Sequence, residues 1–63
     1  MKWESRSKNF ILEIKLDKSA GYYLYVFKNG KCILDYLQDS FEIATDIALE
    51  EYGVPKEAWI QVT

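Results

Sequence analysis

The chain is 63 residues long, 49% hydrophobic and 16% aromatic, with eight bases, ten acids and a formal net charge of −2. A chain of that length buries only about 60% of its unfolded surface, which limits it to one small domain, and its apolar content is too high for a disordered segment. With one cysteine and no histidine, an internal disulfide, a Cys/His metal site and His-dependent catalysis are excluded.

The charge is unevenly spread. Residues 1–31 hold seven bases and three acids, a net +4, whereas residues 32–63 hold one base, Lys56, and seven acids, a net −6. Such a field steers charged partners, over a reach set by the screening length of about 8 Å. No apolar run has transmembrane length, and no signal-type stretch follows the charged amino terminus. The expectation is a cytoplasmic protein in a reducing setting, with no cofactor and no membrane partner.

Residues 1–9, MKWESRSKN, show no period and read as a loose arm of a single domain covering 1–63. From Phe10 the chain alternates. Phe10, Leu12, Ile14 and Leu16 fall on one face and Glu13 and Lys15 on the other, the period of a half-buried strand. Asp17 to Gly21 make a polar turn. Tyr22 to Phe27 form a strand rich in aromatic and β-branched residues, closed by Asn29-Gly30, the pair best suited to a type I′ hairpin. Lys31 to Tyr36 return. Both faces of this hairpin are apolar, so one covers the core and the other is surplus.

A four-residue loop after Leu16 sets Tyr23, Tyr25, Phe27, Cys32 and Leu34 inside, while a five-residue loop sets Leu24, Val26 and Ile33 there instead. The first is the expectation, because its inner face contains no charge while the second would bury Asp35. Residues 39–52 read as a helix with Asp39 as N-cap, Glu42 completing a capping box, and Gly53 and Pro55 ending it. Its inward stripe is Phe41, Ala44, Ile47, Ala48 and Tyr52. Trp59 to Val62 make a short fourth strand. The fold class expected is therefore α+β in two layers, a three-stranded antiparallel meander with one helix and a short fourth strand, βββαβ.

Three features are candidates for function. Glu42, Asp46 and Glu50 lie at i, i+4 and i+8 on the helix with no base in residues 39–52, which fits a protein partner with a basic surface. Tyr22 and Leu24, on the surplus hairpin face, and Trp3, on the arm, are candidate partner contacts, with a second copy in a homodimer as one occupant. Tyrosines interleaved with Lys28 and Lys31 suit stacking on single-stranded nucleic acid, a reading opposed by the acidic second half. Asp35 and Asp39 are the carboxylate pair nearest to a Mg²⁺ site, and their use would make the chain a metal-dependent nuclease-like remnant. With no phosphate loop and no nucleophile elbow, the chain reads as a non-enzyme, and Cys32 as a small buried hydrophobe.

Asp17…Gly21-Tyr22-Tyr23, Cys32 in the third strand, and the helix opening Asp39-Ser40-Phe41-Glu42-Ile43-Ala44 occur together. In these features, residues 10–52 resemble the HicB-like antitoxins of bacteria. The resemblance implies a partial ribonuclease-H-like βββαβ domain, its fourth strand parallel to its first, acting as a non-catalytic toxin-neutralising module. The family's Leu-Pro-Gly turn is replaced here by Asn29-Gly30.

Overall fold

In a computed structural model, which describes all 63 residues, the elements run β1 (Lys2–Ser7), β2 (Phe10–Asp17), β3 (Gly21–Lys28), β4 (Lys31–Gln38), α1 (Phe41–Tyr52), a 3₁₀ turn (Lys56–Ala58) and β5 (Ile60–Gln61). The sheet order is β4-β3-β2-β1-β5, all neighbours antiparallel, and α1 packs across one face. The α+β class and the single helix are as expected. The strand count is not.

Residues 2–7, expected as a loose arm, are a full strand paired with β2 from Lys2↔Lys15 to Ser7↔Phe10. The reason they lack an apolar period is chemical. The inward positions of β1 are Trp3, Ser5 and Ser7, and the two hydroxyls donate to carbonyl oxygens of the segment that follows the sheet, Ser5 to Ala58 (3.1 Å) and Ser7 to Tyr52. Satisfied serines do there what aliphatic side chains do in β2. The final strand pairs with β1, Trp3↔Gln61 and Glu4↔Ile60, so β1 separates it from the 10–17 strand beside which the resemblance would place it.

Two local features decide which face of the sheet is buried. After β2 the register is Leu16↔Tyr22 and Asp17↔Gly21, the five-residue loop. The Asp17 carboxylate accepts hydrogen bonds from Ser19 N–H (2.9 Å) and Ser19 Oγ (2.8 Å), and these bonds hold its pKa below the ordinary value. Gly21 has φ 131°, and a Cβ there would lie 2.5 Å from the Gln38 carbonyl oxygen, so only glycine lets β3 start against the end of β4.

The second feature is a β-bulge. Asn29 (φ 52°) and Gly30 (φ 78°) make the expected two-residue hairpin with Phe27 opposite Cys32, but Val26 then pairs with Leu34, leaving Ile33 as an extra residue. Beyond it Leu24 pairs with Tyr36 and Tyr25 with Asp35. The bulge therefore turns Leu34 and Tyr36 inward and keeps Asp35 outward, which removes the objection to burying Leu24 and Val26.

The core is aliphatic at its centre. Leu12, Ile14, Leu24, Val26, Ala44, Ala48 and Val54 are fully buried, ringed by half-buried Trp3, Phe10, Tyr22, Tyr36, Phe41, Tyr52 and Trp59. Tyr23, Tyr25, Phe27 and Cys32, expected inside, lie on the opposite face. Of the expected inner set in the hairpin, Leu34 alone remains against the core. Ala44 and Ala48 let the helix lie close to the sheet, and aromatic pairs close its ends: Trp3–Phe41 at 4.6 Å and Phe10–Tyr52 at 5.1 Å between ring centroids.

The helix is capped by Ser40, one residue later than expected, its Oγ accepting from Ile43 N–H at 3.1 Å while Asp39 stays outside. At the other end Gly53 is left-handed (φ 70°), and Val54 N–H bonds the Ala48 carbonyl at 3.1 Å, as the Gly-x-Pro signal implies. Val54 is buried in the core.

Candidate binding surface

The open face of the sheet is assembled by the outward residues of five strands, and the register sorts them into rows. Across the middle run Ile60, Glu4, Glu13, Tyr25 and Asp35. On one side of that row lie Lys2, Lys15, Tyr23 and Leu37, and on the other Arg6, Ile11, Phe27 and Cys32. Tyr23 and Tyr25 are stacked, 5.8 Å between centroids at 15°, and Phe27 continues the line 6.5 Å further on. Burial and the neighbouring Tyr23, Asp35, Cys32 and Glu13 push the Tyr25 phenol upward in pKa.

This face is apolar to a degree that a solvated sheet face is not. Ile11 (37%), Ile33 (46%), Leu37 (49%), Ile60 (67%) and Val62 (42%) are exposed on it or at its rims, beside the half-buried aromatic line. Its charges are mixed, with Lys2, Arg6 and Lys15 against Glu4, Glu13, Asp35 and, at the end of β2, Asp17. A depression of about 350 Å³, lined by Glu4, Ser5, Arg6, Ala58, Ile60 and Val62, extends it at the β1–β5 edge.

The residues singled out from the sequence fare unevenly. Leu24 is fully buried and Tyr22 is half-buried against Phe41, 6.0 Å between centroids, so neither is an outward contact; the five-residue loop and the bulge exchanged the faces. Trp3 is likewise packed on the core through Phe41 and Tyr22. Glu42, Asp46 and Glu50 do share the helix exterior, but Lys56, carried back by the 3₁₀ turn, pairs with Asp46. That hydrogen bond raises the Lys56 pKa, with smaller contributions from the Asp46 and Glu42 charges. The acidic face is thus partly neutralised from outside the helix. Cys32, expected as a buried hydrophobe, is exposed, its Sγ donating to the Leu34 carbonyl at 3.3 Å.

Asp35 and Asp39 are not brought together. Asp35 points from the extended strand β4 and Asp39 lies four residues on, about 13 Å along extended chain, and no cluster of three His, Cys, Asp or Glu side chains forms a metal site. The basic first half, by contrast, is gathered. The β1–β2 and β3–β4 turns lie at one end of the sheet, which places Arg6, Lys8, Lys28 and Lys31 beside Phe10 and Phe27, with Lys28 Nζ 5.8 Å from the Phe10 ring centre.

No family model matches the chain, and no curated protein or solved structure matches it. No helix is long and apolar enough to cross a membrane.

Sequence reasoning missed Tyr23, Tyr25 and Phe27 as outward residues. One signal was present: Asp17-x-Ser19 is an Asx-turn pattern that favours the longer loop, and with it the aliphatic inner face.

Proposed function

We propose that the protein is a non-catalytic protein-binding module whose working surface is the open sheet face, of the antitoxin, immunity or regulatory type that its HicB-like features suggest. The observation that carries this reading is the aromatic line Tyr23-Tyr25-Phe27, its first two rings stacked, on the face opposite the helix, flanked by exposed Ile11 and Leu37. Rigid aromatic side chains on a strand are poor solvent-facing residues and good interface anchors, since they offer large area at small entropic cost. The reading places the site in the cytoplasm and requires no cofactor.

Capture from the source cell with wild type, Tyr25→Asp and Glu50→Lys tests it. Loss of the captured protein with Tyr25→Asp alone supports the open face. Loss with Glu50→Lys alone transfers the site to the acidic helix and defeats the proposal.

A second reading is favoured by one observation, the cluster of Arg6, Lys8, Lys28 and Lys31 beside Phe27, which suits a phosphate backbone running off an aromatic platform. Against it stands the central row of Glu4, Glu13 and Asp35. Filter binding to single-stranded oligonucleotides across a salt series separates the two. Retention that falls steeply with salt supports nucleic acid, and no retention at low salt removes it.

A further inference from the structure

Two features of the open face are unfavourable within one chain. Glu4 lies directly opposite Glu13, and Lys2 directly opposite Lys15, pairs of like sign at cross-strand distance. Like charges in that position destabilise a sheet. Lys2 bridges the acidic pair, with its Nζ 4.0 Å from Glu4 and 3.9 Å from Glu13, which leaves Lys15 without an ion pair of its own. The basic pair has no acid from its own row.

We infer that a second copy of this chain covers the open face, turned end for end about a two-fold axis that crosses the strands between the Glu13 row and the Lys15 row. This rests on the reading of the open face as a binding surface and names its occupant. Under that operation each strand lies over its own counterpart, running the opposite way. Glu13 then faces Lys15 of the second copy and Glu4 faces Lys2, each contact occurring twice by symmetry. Tyr25 faces Tyr23, and Ile60 faces Val62. The unfavourable rows of one copy become the complement of the other.

The same operation sets Asp35 over Leu37 and Ile11 over Asp17 of the second copy. β2 is the central strand, so the Glu13 and Lys15 contacts stay in register even when sheet twist turns the two sheets by about 30°. The surplus acid, Asp39, Glu42, Glu50, Glu51 and Glu57, lies in the helix layer and its flanks, which end on the outside of such a pair, far from each other. The 32 strand residues, at about 3.3 Å rise and about 4.8 Å between strands, give roughly 500 Å² of projected face per copy, or about 1,000 Å² in all, at the lower limit of specific interfaces. The alternative of joining β4 edges is opposed by the Ile33 bulge and by Asp35, devices that blunt an edge strand.

Sedimentation equilibrium from 1 µM to 1 mM is the test, on wild type, Glu13→Lys, Lys15→Glu and the double exchange, with circular dichroism melts to confirm folding. These side chains face solvent in the single chain, so the variants should fold; Tyr25→Asp is a second probe of the same face. The expected result is a wild-type dimer with dissociation in the micromolar range, weakened at least tenfold by either single change. Restoration in the double exchange to within about threefold of wild type completes it. A wild type that stays monomeric to 1 mM overturns the second copy while leaving the open face as a site for another protein. A dimer indifferent to all four variants places the contact elsewhere and likewise overturns the second copy on this face, while the capture experiment with Tyr25→Asp decides the open face itself.

Discussion

The two faces of this sheet are built from the same strands, residue by residue in alternation, yet they follow different rules. The face under the helix is aliphatic at its centre, with Leu12, Ile14, Leu24 and Val26 fully enclosed, and its polar groups, Ser5 and Ser7, are bonded to backbone carbonyls. The open face carries the aromatic line and charges of both signs, and its like-signed residues meet across strands. A face optimised for water would interleave opposite charges and few large apolar groups. The difference teaches that apolar content alone does not mark the core. The kind of apolar side chain, and whether its charged neighbours are satisfied within the chain, separates packing from recognition.

The comparison can be broken most directly by truncation. Leu24→Ala should cost about 3 kcal/mol, a large share of the roughly 3–9 kcal/mol available to a domain of this size. Tyr25→Ala, one residue away, should cost less than about 1 kcal/mol when melted at high dilution, because it loses only stacking and partial burial. Equal losses in chemical denaturation would mean that both faces are core.

Next in size is Gly21→Ala. The positive φ and the close Gln38 carbonyl together should cost more than about 2 kcal/mol, read as a lowered denaturation midpoint. A smaller loss would mean that β3 does not begin in the register that sends Leu24 inward.

Deleting Ile33 sharpens the comparison by testing its cause. If Ile33 is the bulged residue, removal restores a regular ladder with Leu34 and Tyr36 still inward, and stability should change by less than about 1 kcal/mol. In an unbulged ladder the same deletion would reverse every residue from Leu34 to Gln38 and unfold the domain. Thermal melts distinguish these outcomes without a structure.

The smallest effect concerns the turn that sets the register. The folded pKa of Asp17 lies below its ordinary 3.8, so its stabilisation is complete above that value and is lost as pH falls through the folded value. Melts between pH 6 and pH 2 should show a shallow acid loss in wild type that is absent in Asp17→Asn. Identical profiles would remove the Ser19 bonds from the account.

Much of the architecture was legible: the alternation of 10–16, the Asn29-Gly30 hairpin, the Phe41 to Tyr52 stripe and the Gly53 stop each rest on a local rule. What was not legible depended on single residues whose effect is parity. One more residue in the 17–21 loop inverts β3 and the start of β4, the extra residue Ile33 turns the rest of β4 back, and a period-two pattern with apolar residues on both faces gives no local penalty for either choice. That is why Tyr22 and Leu24 were assigned outward and Tyr25 inward. Strand β1 was hidden for another reason: its inward serines are matched to carbonyls 45 and 53 residues away, partners no local window contains. Glu42, Asp46 and Glu50 share the helix exterior, and Lys56 reaches Asp46 from beyond the capped end, a pairing that no window within the helix contains.

The assignment of faces is tested most directly by solvent relaxation in the dilute protein, using a neutral paramagnetic gadolinium chelate and methyl and aromatic proton signals. The account predicts strong relaxation of the Ile11, Ile33 and Leu37 methyls and the Tyr25 ring, with the Leu12, Ile14, Leu24 and Val26 methyls protected. Relaxed Leu24 and Val26 methyls beside protected Tyr25 and Phe27 rings would contradict it.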